Sequence, residues 1–354
     1  MMEVPKHCPR LASSRMCPRL ALILTSLLTT PFLASGAEGT SIRLATIAPK
    51  GTSFHKSLLR MGEAWREASG GKAKLVIYTD GTMGGEADMV RRMRVGQIQA
   101  AMLTVSGLML IEDSVSGLQN MPLMFRSLEE LDFVRERLRA SLEKKLLDKG
   151  FVVLFWADAG WVQFFSKRPA WQPEECRKMK TFVWAGHQRS IDLMKSLGID
   201  VVPLEFTDTL TGLQTGLIEA VSSIPTYALA GQYYGQTKHM LRLNWVPLVG
   251  ATVVTRKAWE AVPEASRAAM LKDAAVAGAE IRKRGREENE ESIVAMQKRG
   301  LEVHDLKPEE LEAWRKYAES VHPRIRGEVV PADMFDEVQR LLKEYRAAGD
   351  KKTP

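Results

Sequence analysis

Cysteine is nearly absent from this 354-residue chain, and so are the short signatures of the common enzyme classes. Of its three cysteines, Cys8 and Cys17 fall in the first 37 residues, which leaves Cys176 alone in the rest. An internal disulfide framework is thereby excluded. No histidine stands near Cys176 in the sequence, so it reads as a buried structural thiol rather than a nucleophile. The six histidines are scattered, and none has the spacing of a metal ligand set. GxSxG, HExxH, CxxC and a phosphate-cradling glycine loop are all missing. These absences argue against an enzyme, and they imply no cofactor and no metal. Nor does the chain hold an apolar run of the roughly 20 residues that a spanning helix needs. Charge of one sign does not dominate either. The formal net charge is +7, with acid and base interspersed, so no nucleic-acid footprint is present.

What the chain does have begins with an address. Lys6, Arg10, Arg15 and Arg19 form a basic stretch, Leu20 to Leu33 is apolar, and Ala34 to Ala37 are small. This is the pattern of a secretory signal peptide, cleaved near Ala37, and it implies export of the mature protein. Met1 and Met16 both fit as translation starts. Loss of four bases and one acid leaves the mature chain at +4.

Hydrophobic periodicity then predicts an α/β protein. Ile42–Ile47, Ala73–Tyr78 and Ala100–Val105 read as strands. The helices between them start at Thr52 or Ser53 and at Glu86. Compact β-α-β connections of this kind argue for a parallel sheet covered by helices. Leu128–Lys149 is a further helix and Phe151–Ala157 a further strand. A second unit follows, with strands at Phe164–Ser166 and Thr181–Trp184, a loop at Gln172–Lys178 and a helix at Gln188–Leu197. Next comes VPLEFTDTLTGLQTGLIEAVSSIP, Val202 to Pro225. It reads as a strand, a helix stopped by Gly216, and a strand Ile218–Ile224. Leu248–Thr255 returns as a strand to the first sheet. Glu264 to about Arg299 is one long helix able to brace both units, and two tail helices, Pro308 to about Val321 and Ala332–Ala347, follow.

Two α/β units joined by at least two crossings imply a hinge and a cleft, with ligand bound outside the carboxyl ends of the strands. The expected domains are 38–160 plus about 248–275, and 161–247 plus about 276–305. Residues 306–354 are expected to pack on both as helices.

The sequence resembles the substrate-binding proteins of tripartite ATP-independent periplasmic (TRAP) transporters, of the dicarboxylate-binding, DctP type. Four segments carry the resemblance: LVIYTDGTMGGEADMVRRMRVGQIQAAMLTVSGL (Leu75–Leu108), NMPLMF (Asn120–Phe125), FFSKRP (Phe164–Pro169) and LEFTDTLTGLQTGLIEA (Leu204–Ala220). Each is weak alone, and their order and spacing together are specific. The resemblance implies the two-domain periplasmic solute-binding fold, type II-like, with a central ligand cleft and a domain-spanning helix. It also implies capture of a small molecule by cleft closure, delivery to TRAP permease membrane subunits for ion-gradient-driven uptake, and no chemistry. A monomer is expected. The rival readings are a sensory binding protein that presents its ligand to a membrane receptor and, as a poor second, a periplasmic enzyme.

The departures from the family pattern bear on the ligand. The family usually grips a carboxylate with an arginine in a K-x-R-V-P-like context. That position here is Phe182 counted from the left, or Val183 counted back from Gly198. A second frequent arginine corresponds to Val162, and an asparagine to Ser223. Bidentate arginine is among the strongest carboxylate contacts, so its replacement favours an apolar or aromatic organic acid. Trp161, Phe182 and Trp184 are candidates to bind the ligand body, with Gln163, Ser222 and Ser223 orienting its polar end. Phe54, Thr104, Tyr227 and Trp245 are further ligand-facing candidates. Arg189 is the candidate for a displaced positive charge.

Overall fold

The computed structural model describes residues 39–350. The signal peptide, its cleavage near Ala37 and the choice between Met1 and Met16 lie outside the described residues.

The first sheet is built where the sequence places it. β1 (Thr40–Thr46) leads through α1 (Ser53–Ala68) to β2 (Ala73–Tyr78), and α2 (Glu86–Arg94) leads to β3 (Ala100–Thr104). Both β2 and β3 pair parallel with β1. α1 buries Phe54, Leu58, Met61 and Trp65 on one face, the spacing of a half-buried helix. A short helix α3 (Val105–Met109) follows, and α4 (Leu128–Asp148) is capped by the Ser127 side chain, which accepts from the Glu130 amide. β4 (Phe151–Trp161) runs four residues further than its apolar pattern suggests.

The second sheet takes in β5 (Gln163–Ser166), β6 (Thr181–Trp184), β7 (Val201–Leu204) and β8 (Ala220–Ser223). The stretch expected as a loop at Gln172–Lys178 contains a helix, α5 (Pro173–Arg177), with proline at its start and a Gln172–Glu175 capping box. α6 (Gln188–Ser196) connects β6 to β7. α7 (Thr209–Thr215) ends on Gly216 at φ 77°, the left-handed stop that the sequence announces. α8 (Pro225–Ala230) follows β8. The chain then forms β9 (His239–Arg242), a four-residue strand with no sequence signal of its own.

β10 (Pro247–Thr255) returns to the first sheet as expected and lies between β3 and β4, antiparallel to both. The sheet expected to be parallel is therefore mixed, in the order β2-β1-β3-β10-β4. α9 (Arg256–Glu260) leads to α10 (Glu264–Gln297), whose 34 residues span about 51 Å at 1.5 Å each. β11 (Glu302–Asp305), a second unannounced strand, completes the second sheet, β11-β9-β5-β8-β6-β7. α11 (Pro308–Glu328) packs on α5 and α6, and α12 (Ala332–Asp350) on α4 and α11. Two lobes result, each a sheet layered with helices.

α10 belongs to both lobes, packing on α1 and β4 of the first and α8 of the second. Two glycines let it lie close to β4. A methyl added at Gly278 would meet Phe155 Cβ at 2.7 Å, and one at Gly285 would meet Ala159 Cα at 3.2 Å. Its Asn289 joins the lobes, accepting from the Thr226 amide at 3.2 Å and donating to the Ala159 carbonyl at 2.6 Å. Arg286 of the same helix binds buried Asp158 through two hydrogen bonds, at 2.8 and 2.7 Å, and Asp132 through two more. The two remaining crossings between the sheets run side by side. Val162 donates to the Val246 carbonyl at 2.9 Å, and Trp245 donates to the Val162 carbonyl at 3.2 Å.

Candidate functional site

β3, β6 and β8 end toward one cavity of about 310 Å³, lined by Ser106 just beyond β3, by Trp184 and by Ser223. The cavity also extends across one face of the second sheet, beneath α11. Strand alternation explains which residues it meets. Phe164 pairs with Ser222, Phe165 with Val221. Phe165, Val221 and Phe182 pack together on the α8 side in the core of the second lobe. Phe164, Ser222 and Val183 occupy the opposite face. Ser222 is exposed although its strand is flanked on both sides, so the space above it is the cavity itself.

Seven of the ten expected ligand-facing residues line this cavity: Gln163, Phe182, Trp184, Ser222, Ser223, Tyr227 and Trp245. Their roles differ. Gln163 is buried and its amide is largely committed. Its Oε1 accepts from the Leu243 and Asn244 amides at 2.9 and 3.1 Å, and its Nε2 donates to Asn244 Oδ1 at 2.8 Å. It fixes the crossing between lobes, which leaves one Nε2–H to orient a ligand. Trp184 stands edge-on to Phe182, with ring centres 6.2 Å apart, and touches the cores of both lobes. Trp161 does not reach the cavity. It pairs with Pro247 at the end of β4 and packs on the first lobe's core.

Phe54 and Thr104 line a separate, smaller cavity of about 50 Å³, which Tyr227 also borders. The Thr104 hydroxyl is engaged, donating to Glu86 Oε2 at 2.7 Å, while its amide donates to Oε1 at 2.6 Å. Burial raises Glu86 above the ordinary carboxylate range, against the pull of these hydrogen bonds. Burial also pushes the Tyr227 hydroxyl up.

The lobes meet around the cavity. Phe206, just after β7, packs against core side chains of both lobes and lies 5.6 Å from the Tyr227 ring. Glu205 lies against Gly85 at the start of α2, and Thr207 against Gly81. Arg189 does not enter the cavity. It crosses to Asp113 of the first lobe at 2.6 Å.

The electrostatics of the lining are spare. It includes Arg177 and His187 but no aspartate, glutamate or lysine. Burial, then the nearby Arg189, depresses the His187 pKa, so this ring is neutral at pH 7. Arg177 is then the only fixed charge on the wall. Neither Arg177 nor the lining residues Trp314 and Tyr317 were singled out from the sequence. Arg177 sits where a loop was expected, and the two aromatics lie in a tail helix that amphipathic spacing marks only as core-facing.

The family profile of the bacterial extracellular solute-binding proteins, family 7 (DctP), matches residues 44–328. The chain belongs to this family. Among curated relatives, the C4-dicarboxylate-binding periplasmic protein DctP of Rhodobacter capsulatus is 23% identical over 88% of this chain and 94% of its own. The 2,3-diketo-L-gulonate-binding periplasmic protein YiaO of Escherichia coli is 25% identical over 77% of this chain and 83% of its own. The fold matches a TRAP periplasmic solute-binding protein of Sulfurospirillum deleyianum with bound succinate. That match has a TM-score of 0.79 and 20% identity, over 86% of this chain and 99% of that one. It also matches a sugar acid binding protein of Advenella mimigardefordensis in complex with galactonate, with a TM-score of 0.80 and 18% identity, over 87% and 99%. DctP proteins bind solutes and are not enzymes, which agrees with the missing catalytic signatures. Among the described residues no group of His, Cys, Asp and Glu is placed to hold a metal, and no helix is long and apolar enough to cross a membrane.

Proposed function

We propose that this DctP-family protein is the extracytoplasmic receptor for a small organic acid with an apolar or aromatic body, and that it delivers this ligand to TRAP permease membrane subunits. The observation that carries the ligand class is the lining of the 310 Å³ cavity. Val162, Phe164, Phe182, Val183, Trp184, Phe206 and Trp245 line it, and the family resemblance implies that Val162 and Val183, or Phe182, take the places of arginines.

Magnitudes favour this class over short dicarboxylates. A charge-assisted hydrogen bond contributes about 1.5–3 kcal/mol net. A buried phenyl-sized body removes about 150–250 Å² from water, a gross gain of about 4–6 kcal/mol. A succinate-sized ligand would bring two carboxylates to a wall with one cation and little apolar surface to bury. An aromatic monocarboxylate matches the wall in both respects. Ser222 and Ser223 remain as neutral polar contacts for the ligand.

The lobes are proposed to move as domains bounded near residues 160, 247 and 275, closing on the ligand as a monomer in the periplasm. The permease would then distinguish the closed form by its differential affinity for the two states. A thermal-shift screen against short dicarboxylates, sugar acids and aromatic monocarboxylates tests the ligand class. The largest upward shift is expected from the aromatic monocarboxylates, and stabilisation by a C4 dicarboxylate alone would overturn the reading.

A further inference from the structure

Beneath α11 the cavity ends in an arrangement of its own. Trp245 stacks on Tyr317 with ring planes 21° apart, and stands edge-on to Trp314, with ring centres 5.6 Å away. The Trp314 indole nitrogen is occupied, donating to the Trp171 carbonyl at 2.8 Å. The Tyr317 hydroxyl is buried with no hydrogen-bond partner. Arg177, on α5, lies against Gly198, where a methyl would meet its Nη2 at 2.6 Å. Its Nε is also buried without a partner, and none of its ion-pair distances falls within 4 Å among the described residues. Both residues line the cavity, and a buried donor without a partner costs free energy that a bound acceptor would restore. Burial raises the pKa of the Tyr317 hydroxyl; the Arg177 charge works against this, while Glu174 adds to it.

We propose that Arg177 and Tyr317 form the carboxylate anchor of the site, displaced from β6 to the gap between α5 and α11. The ligand would then lie along the second sheet with its acid group beneath α11 and its apolar body against Trp245, Phe164 and Val183. This rests on the reading that the ligand is an apolar or aromatic organic acid. It goes further in stating where the charge is held and which way the ligand points. The chemistry fits: a carboxylate can accept from the guanidinium and from the phenol at once, and no acid on the wall competes for Arg177. The same lining makes the site selective for one anionic group, since a second would face Trp184 and Val162.

The test is titration calorimetry of the full mature chain with 3-phenylpropanoate and 3-phenylpropanamide, alongside succinate, in wild type, Arg177→Met and Tyr317→Phe. The expected result is binding of the acid by wild type, weakened roughly tenfold to a hundredfold in Arg177→Met and about fivefold in Tyr317→Phe. The uncharged amide should bind all three proteins within about twofold, which separates loss of the anchor from loss of the fold. Acid affinity unchanged in Arg177→Met would overturn the anchor and leave the ligand class standing. Wild type that binds succinate, or neither phenyl compound, would overturn the ligand class and the anchor with it.

Discussion

Arg189 of the second lobe and Asp113 of the first are joined by an ion pair of 2.6 Å across the mouth of the cleft. Both side chains are well exposed, 59% and 41%, so the pair is screened and contributes no more than about 1 kcal/mol. That is too little to affect global stability and enough to shift a balance between open and closed forms. Arg189→Ala is expected to leave the melting temperature within about 2 °C. The same variant should raise the radius of gyration of the ligand-free protein in small-angle scattering and speed ligand release. High salt should reproduce both effects in wild type, since screening acts within about 10 Å at 0.1 M. An unchanged scattering profile in the variant would show that closure does not depend on this pair.

The fold was legible wherever apolar periodicity spans a whole element. β1 to β3, α4 and the Gly216 stop all follow local rules, and the return of Leu248–Thr255 to the first sheet follows from its apolar run. β9 and β11 were not legible, because four-residue strands at one end of a sheet are specified by the neighbours they pair with rather than by their own pattern. The site divides the same way. Ser222, Ser223 and Trp184 end strands, where the fold itself directs ligands. Trp161 flanks a family position too, but flanking in sequence does not set a side chain's direction, and the end of β4 turns it to the core. Gln163 looked free because its partners, Leu243 and Asn244, lie some 80 residues away in the chain. Arg177 and Tyr317 come together only through the packing of α11 on α5, a tertiary contact with no local signature.

Cys176 lines the cavity, and burial pushes its thiol up to about 12. The thiolate is the reactive form. At pH 8 about one molecule in ten thousand carries it, against about a quarter for a free thiol of pKa 8.5. Alkylation of the native protein by iodoacetamide should therefore run about a thousandfold slower than alkylation in 8 M urea. A native rate within tenfold of the unfolded one would contradict this burial.

The buried charge network under α10 sets a different expectation. Arg286 bonds Asp158 and Asp132, and Arg135 reaches Asp158 at 3.3 Å. Replacing Arg286 by methionine leaves Asp158, a fully buried carboxylate, with two longer contacts, the Arg135 guanidinium and the Gly160 amide, each at 3.3 Å. Breaking such a pair typically costs about 3–5 kcal/mol, which urea unfolding would measure. The pH dependence follows from Asp132. Burial acts to raise its pKa, but the hydrogen bonds and charges of Arg286 and Arg135 prevail and hold it below its ordinary 3.8. Its contribution is thus complete above pH 3.8 and is lost as pH falls through the lower, folded-state value. In Arg286→Met the acid-side loss of stability should shrink. An acid limb as steep as that of wild type would mean that other carboxylates control it.

Gly278 offers a test in which two physical rules give opposite signs. In an exposed helix interior, glycine to alanine stabilises by about 1 kcal/mol, since the backbone loses less entropy on folding. Gly278 is a buried position in the middle of α10, and the added methyl would fall 2.7 Å from Phe155 Cβ and Cδ2 on β4. Phe155 is itself a core residue, 4% exposed, and its Cβ cannot move without the strand. Overpacking of this kind costs about 1–3 kcal/mol and outweighs the propensity gain. Gly278→Ala is therefore expected to destabilise the protein by about 1–2 kcal/mol in urea unfolding. Because α10 also reaches α8 in the second lobe, a methyl that forces the helix away from β4 should weaken ligand binding, although residue 278 lies outside the cavity lining. A stabilised Gly278→Ala would show that α10 and β4 part easily, and that the long helix does not hold the two lobes in register.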